Sequence, residues 1–474
     1  MQDIAQNLPE IIKAAASSNL GVVALMLIVF SGLSYGFFRK STEIWRFSAL
    51  ILLFLACMSF GFAIFKSASD TPRRSEVELS KSIQSWVSEA ESARSAKTLF
   101  NSTTPPSSLL DARNQFESTW KLASLVERKK QNAEELSKAF SYLNRLYRAV
   151  ENDSSSQPNA NFWADEAIQY FQEIQNRKLL TEALMDKAAI YLDIGQLGNN
   201  DKQQFESMAR DGDAVMTKAY QIADESQRPS VLRLSSRFYY CLARPKSFIL
   251  SDSWDNNYLL LAYQKAKAAY ELAPADIMNA NQLLRSVIRV SKNPPQDSDD
   301  NWTLKLRDSQ QKLKAAWSSN QSSLVGLNER LSPLNVLGVA TFETVAREWK
   351  ALTFTERNSK AQDYIAEIDS DSISPLREAV ALLQNAELRK SYGFDLYFDV
   401  ARAEALKTVI LKNISVSQAA VEFEEVRNNL LTAKENAKTS QLEAAINSIR
   451  NEITFTLLAP QEKSILINTL SVGV

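Results

Sequence analysis

The chain opens on two uninterrupted apolar stretches and then changes to amphipathic periodicity. Leu20 to Phe38 and Phe47 to Phe65 each hold nineteen residues without a charged side chain. At a helical rise of about 1.5 Å per residue each would reach about 28 Å, close to the hydrocarbon thickness of a bilayer. Backbone polar groups in lipid must bond within their own segment, so the two runs are read as a transmembrane helical hairpin over 20–66. A signal peptide fits less well, because a second equal run follows eight residues later with no cleavage site between them. Ahead of the hairpin, Ile4, Leu8, Ile11 and Ile12 share one helical face, and 1–19 is read as an interfacial segment.

Beyond Lys66 the apolar positions recur at three and four residues, with breaks rich in Pro, Gly, Asn and Ser. A helix is expected from about Ser75 to Ser95. Breaks are expected at Asn101 to Ser108, Asn152 to Asn161, Gly195 to Asp201, Arg228-Pro229, Pro245 to Asp255, Pro274, Lys292 to Asp300, Ser332-Pro333, Asp369 to Pro375 and Pro460. No alternating strand pattern occurs, so the fold class is all-α: two transmembrane helices, then an α-helical solenoid or bundle. The division is a helical connector over 67–160, a solenoid over 161–332 and a C-terminal helical region over 333–474. In that last region Val416, Ala419, Phe423, Val426, Leu430, Ala433 and Ala437 keep heptad spacing. The stripe suits either an oligomerising helix or packing inside the chain.

The solenoid expectation rests on small residues. Ala262, Ala266 and Ala269 precede Pro274 in LLLAYQKAKAAYELAPADI, and Met216, Tyr220 and Ala223 precede Pro229 in a degraded copy. This resembles the second helix of a tetratricopeptide repeat, in which small residues let paired helices approach and a proline closes the unit. The resemblance covers about 175–320, and the first-helix signature of that family is missing from both copies.

Charge nearly balances at −1, which favours neither a nucleic-acid binder nor an acidic partner overall. Only Cys241 lies outside the apolar runs, Cys57 being within the second, so no disulfide within the soluble part is expected. The chain contains no histidine. Imidazole catalysis is thereby excluded, together with histidine metal sites and, with one soluble cysteine, structural zinc. Neither GxxxxGK[ST] nor GxGxxG is present, and Gly195 and Gly198 are read as helix ends. The acidic pairs Asp299-Asp300 and Asp369 with Asp371 are read as solvated loop residues. No catalytic residue, metal or cofactor is expected; the chain is read as a binder and not an enzyme.

Two sets of residues carry candidate function. Ser31, Gly32, Ser34 and Gly36, facing Ser59, Gly61 and Ala63, are small residues spaced for close helix packing in the hairpin, or for lining a pore assembled from several copies. In the solenoid, Arg233 and Arg237 lie four apart on one helix and Arg285 and Arg289 on another. As successive first helices these would face one groove, where guanidinium pairs grip phosphates or carboxylates, with Tyr240 offering aromatic surface. The partners expected are a lipid bilayer, further copies of the chain, and a partner protein or anionic ligand such as a nucleotide or single-stranded nucleic acid. Basic residues near the spans number three on the connecting side (Arg39, Lys40, Arg46) against Lys13, Lys66, Arg73, Arg74 and Lys81 on the other. The soluble part is therefore placed in the cytoplasm, with the hairpin in the bacterial inner membrane. In overall plan the chain resembles membrane effectors of bacterial antiphage defence, which implies an oligomeric sensor controlling membrane permeability. The alternative is a tethered scaffold that recruits a partner protein.

Overall fold

The computed structural model describes residue 51 and residues 76–93, 105–150, 157–192, 202–243, 255–292, 294, 301–324 and 326–471. Among these residues the secondary structure is entirely helical. The reading as a multi-pass inner-membrane protein is corrected: no described helix is long and apolar enough to cross a membrane. The reason lies in the distribution of charge. The longest helix, Leu327–Ala351, carries Glu329, Arg330, Glu343, Arg347, Glu348 and Lys350, and such helices bury one stripe while keeping charge elsewhere. Of the two apolar runs only Ile51, helical and exposed, is described; the hairpin's small residues, its flanking charges and the 1–19 segment lie outside the described residues.

The chain divides into two compact units, Met1–Trp86 with Leu110–Glu135, and Val87–Leu109 with Leu136–Val474. In the first, helix α1 (76–93) contributes Leu79 and Ile83, and α2 (Ser107–Leu122) contributes Phe116 and Trp120, all fully buried. The Ser82 and Thr119 hydroxyls share a 2.6 Å hydrogen bond between these helices. The short α3 (Leu125–Lys129) follows, and α4 (Ala133–Val150) begins where the second unit takes over.

The second unit continues through α5 (Gln157–Glu173), α6 (Arg177–Ile190), α7 (Lys202–Ile222), α8 (Arg228–Ala243), α9 (Asn256–Leu272), α10 (Ile277–Lys292), α11 (Trp302–Asn320) and α12 (Leu327–Ala351). From α5 to α12 each helix packs on the next, and α6, α8, α10 and α12 also touch in succession. The result is a two-row stack with the even-numbered helices in one row. Alanines at the contact allow it: Ala262, Ala266 and Ala269 of α9 are completely buried, as are Ala280 and Ala340 opposite. In the degraded copy Met216 and Ala223 are buried with Ala219, whereas Tyr220 is exposed.

The C-terminal part holds α13 (Phe354–Ile368), a π turn at Asp369–Ile373, α14 (Ser374–Ala381), α15 (Ala386–Leu388), a second π turn at Arg389–Gly393, α16 (Phe394–Leu411), α17 (Val416–Glu435), α18 (Thr439–Asn451), α19 (Ile453–Thr456) and α20 (Pro460–Ser471). Two expected breaks are absent. The helix runs through Ser332-Pro333, where Leu331 and Leu334 are buried on either side. At Asp369 to Pro375 the chain stays helical by widening to a π turn. Pro375 offers no N–H to the Asp371 carbonyl four residues back; the Thr341 hydroxyl donates to that oxygen instead, at 2.9 Å. Ser372 in turn donates to the Gly338 carbonyl at 2.8 Å. Asp369 and Asp371 consequently sit in a helical turn and not in a loop: Asp369, still exposed, pairs with Lys407 at 2.8 Å, and Asp371 pairs with Lys314. Most of the heptad stripe of α17 packs within the chain: Ala419 is buried, and Phe423, Val426, Leu430 and Ala433 are buried in one cluster with Phe398 of α16 and Leu466 of α20, whereas Val416 is exposed.

Candidate anion-binding site

Helix α8 starts at Arg228-Pro229, proline being accepted in a first turn because its missing N–H has no helical partner there. Val231, Leu232, Leu234, Phe238 and Leu242 anchor its apolar side, which leaves Arg233 and Arg237 away from the core. Helix α10 is anchored by Ile277, Leu283, Leu284, Val287 and Val290, and its Arg285 and Arg289 are half-buried. The contact of α8 with α10 places the two arginine pairs on adjacent elements of one row, as their spacing suggested.

Their partners separate the four. Arg233 is committed to structure, donating from Nη1 to Asp276 at 2.8 Å and to the Asn279 side chain at 3.0 Å. Arg289 donates from Nε to the Tyr240 hydroxyl at 2.9 Å, so the tyrosine expected to offer an aromatic face also holds this guanidinium. Arg285 donates to the Ser332 hydroxyl at 3.1 Å, and Asn281 donates to that same oxygen at 2.8 Å. Arg237 is exposed. Among the described residues neither Arg237 nor Arg285 has an acidic partner.

The electrostatics of Arg237 point the same way. Desolvation by surrounding protein lowers its pKa first, and the Arg285, Arg148 and Arg233 guanidiniums lower it further. The Cys241 thiol is a modest favourable neighbour. Positive charge from α4, α8 and α10 thus acts on one guanidinium that has no acidic partner among the described residues. Guanidinium groups hold phosphates and carboxylates by charge-assisted, bidentate hydrogen bonds, which makes this cluster the candidate site. Ser332 and Arg148 were not found by sequence reasoning. Ser332 was hidden in an apparent helix break, and Arg148 lies outside the stretch resembling a repeat.

Beyond Arg289 lies a buried ionic network. Arg402 of α16 contacts Glu343 of α12 at 2.8 Å, Asp399 at 2.9 Å and Glu452 at 2.5 Å, with its guanidinium 4.5 Å from the Phe342 ring centre. Lys292 of α10 reaches Glu343 at 2.7 Å, and Arg347 donates to the Ser291 carbonyl at 2.8 Å. Burial by itself would raise the Glu343 carboxyl, but Lys292 and Arg402 hold it below the ordinary range. For Asp399 burial prevails over Arg402, and its pKa is raised. Glu452 also acts on Arg289, which links the network to the arginines of α10.

No protein-family model and no curated protein matches this chain.

Proposed function

We propose that the protein is a recognition module: a stack of helix pairs that captures an anionic group at Arg237 and Arg285. The observation that carries this reading is the juxtaposition of two arginines with no carboxylate between them. Keeping like charges side by side costs free energy, and a bound anion repays it. The ligand class is a phosphate- or carboxylate-bearing molecule, which includes nucleotides, single-stranded nucleic acid and an acidic segment of a partner protein. Its role is to sense such a ligand or to recruit its carrier; the residues set out above hold no acid–base pair arranged for catalysis.

Titration calorimetry with inorganic pyrophosphate, and fluorescence anisotropy with a labelled single-stranded oligonucleotide, test the reading. R237E/R285E is expected to weaken binding at least about a hundredfold, through loss of two charge-assisted contacts and their replacement by repulsion. R233A, whose arginine is tied to Asp276, is expected to change it far less. Unchanged binding in the double variant, or no binding of either probe by the wild type, overturns the proposal.

A further inference from the structure

Helical serines and threonines often turn their hydroxyls back onto the chain, donating to the carbonyl four residues earlier. Ser235, Ser286, Thr344 and Thr408 all do so in this protein, at 2.8 to 3.0 Å. Ser332, in the second turn of α12, does not. Its oxygen instead accepts from the Asn281 amide at 2.8 Å and from Arg285 Nη2 at 3.1 Å. Among the described residues nothing accepts its proton.

Both donors come from α10, where Asn281 and Arg285 lie four residues apart on one face. Asn281 is only 3% exposed, so packing holds its amide in place, and Leu331 and Leu334 anchor α12 on either side of the serine. A hydroxyl oxygen has two lone pairs, and the two donors fill them. The O–H bond takes the remaining tetrahedral direction, turned away from both. Ser332 is thus set as a donor, half-buried, beside a guanidinium that has no acidic partner among the described residues.

Resting on the reading of Arg237 and Arg285 as the anion site, we infer that Ser332 binds the same anion and that the site selects a phosphoryl group over a carboxylate. A carboxylate presents two oxygens in one plane, and a single guanidinium fork occupies both. A phosphoryl group spreads three oxygens tetrahedrally. It can meet the guanidiniums and still turn an oxygen toward the Ser332 proton, at about 2.7 Å from the hydroxyl oxygen.

Titration calorimetry on the full chain compares inorganic pyrophosphate with citrate, a carboxylate anion of similar charge. The wild type is expected to bind pyrophosphate at least about tenfold more tightly, the scale of one hydrogen bond to a charged group. S332A should lose that preference by weakening pyrophosphate alone, about tenfold, and S332T, which retains a hydroxyl, should keep it. Equal affinities in the wild type overturn the inference, and so does a preference that survives in S332A. Either result leaves the arginine reading standing if R237E/R285E still weakens binding, whereas a wild type that binds neither anion removes both. A crystal structure of the wild type with pyrophosphate decides the point even if S332A does not fold. A ligand oxygen within about 3 Å of Ser332 Oγ is expected, and a ligand seated on the arginines without that contact overturns the inference.

Discussion

Glu404 has no solvent contact, and its two oxygens accept from Arg377 at 2.9 Å and Asn429 at 2.7 Å. Desolvation outweighs these donors, and the carboxyl is pushed up to about 7. Because the folded state holds this proton more tightly than the unfolded chain, its contribution to stability is complete below the ordinary carboxylate range and is lost as pH rises through about 7. The difference amounts to roughly 3 kcal/mol. E404Q, neutral at every pH, is expected to flatten the decline in denaturation midpoint between pH 5 and 8. An unchanged profile would show that the burial cost is met elsewhere. Gly338 makes a second single-residue test. A Cβ built on it would lie 2.4 Å from Leu376 Cγ, and its carbonyl already receives the Ser372 hydroxyl. G338A therefore forces α12 away from Leu376 of α14, and thermal unfolding should show a loss of about 1–3 kcal/mol.

Among the helices, α17 shows how a periodicity can be read correctly and its partner left open. The stripe Ala419–Phe423–Val426–Leu430–Ala433 fits the helix, but heptad spacing cannot distinguish a second copy from a neighbour in the same chain. Contact with α16 and α20 gives Phe423, Val426, Leu430 and Ala433 neighbours within the chain. Leu430 is completely buried, and L430A should cost about 2–5 kcal/mol in denaturant unfolding, with a midpoint independent of protein concentration. A concentration-dependent midpoint would restore the oligomer reading. The same limit explains the two missing breaks. Proline forbids its own N–H bond, and the local sequence cannot reveal that Thr341, thirty residues before Asp371, will satisfy the carbonyl left behind. The break at Pro274 held, with the chain turning there, whereas Arg228-Pro229 opens α8 and the turn falls just before it, where a proline in the first helical turn needs no such donor. Helical class and helix faces are thus local properties, whereas continuity across a proline depends on tertiary partners.

For the molecule as a whole, the arginines give the clearest comparison. Spacing of four placed Arg233 with Arg237 and Arg285 with Arg289, and the stacking of α8 on α10 brought the pairs together. Which of them would be neutralised was not legible, since Asp276, Tyr240 and Glu452 reach them from other elements. The network centred on Arg402 joins α10, α12 and α16 with Glu452, all withdrawn from solvent to varying degrees. Buried pairs of this kind add little over an apolar replacement, but removing one partner strands the others. R402M is therefore expected to cost about 3–5 kcal/mol, with little dependence on salt because Glu343 is shielded. The double variant R402M/E343Q should recover part of that loss, and a fully additive result would show that the two side chains do not interact.

The unneutralised pair Arg237 and Arg285 has a consequence for selection. A binding site that repels itself when empty handicaps its own fold, so mutation toward greater robustness runs against retention of the ligand. R237Q should raise the melting temperature of the ligand-free protein while removing the rise expected when pyrophosphate is added to the wild type. A population screened only for heat resistance would be expected to discard this arginine early, and one screened for binding to keep it at the expense of thermal tolerance.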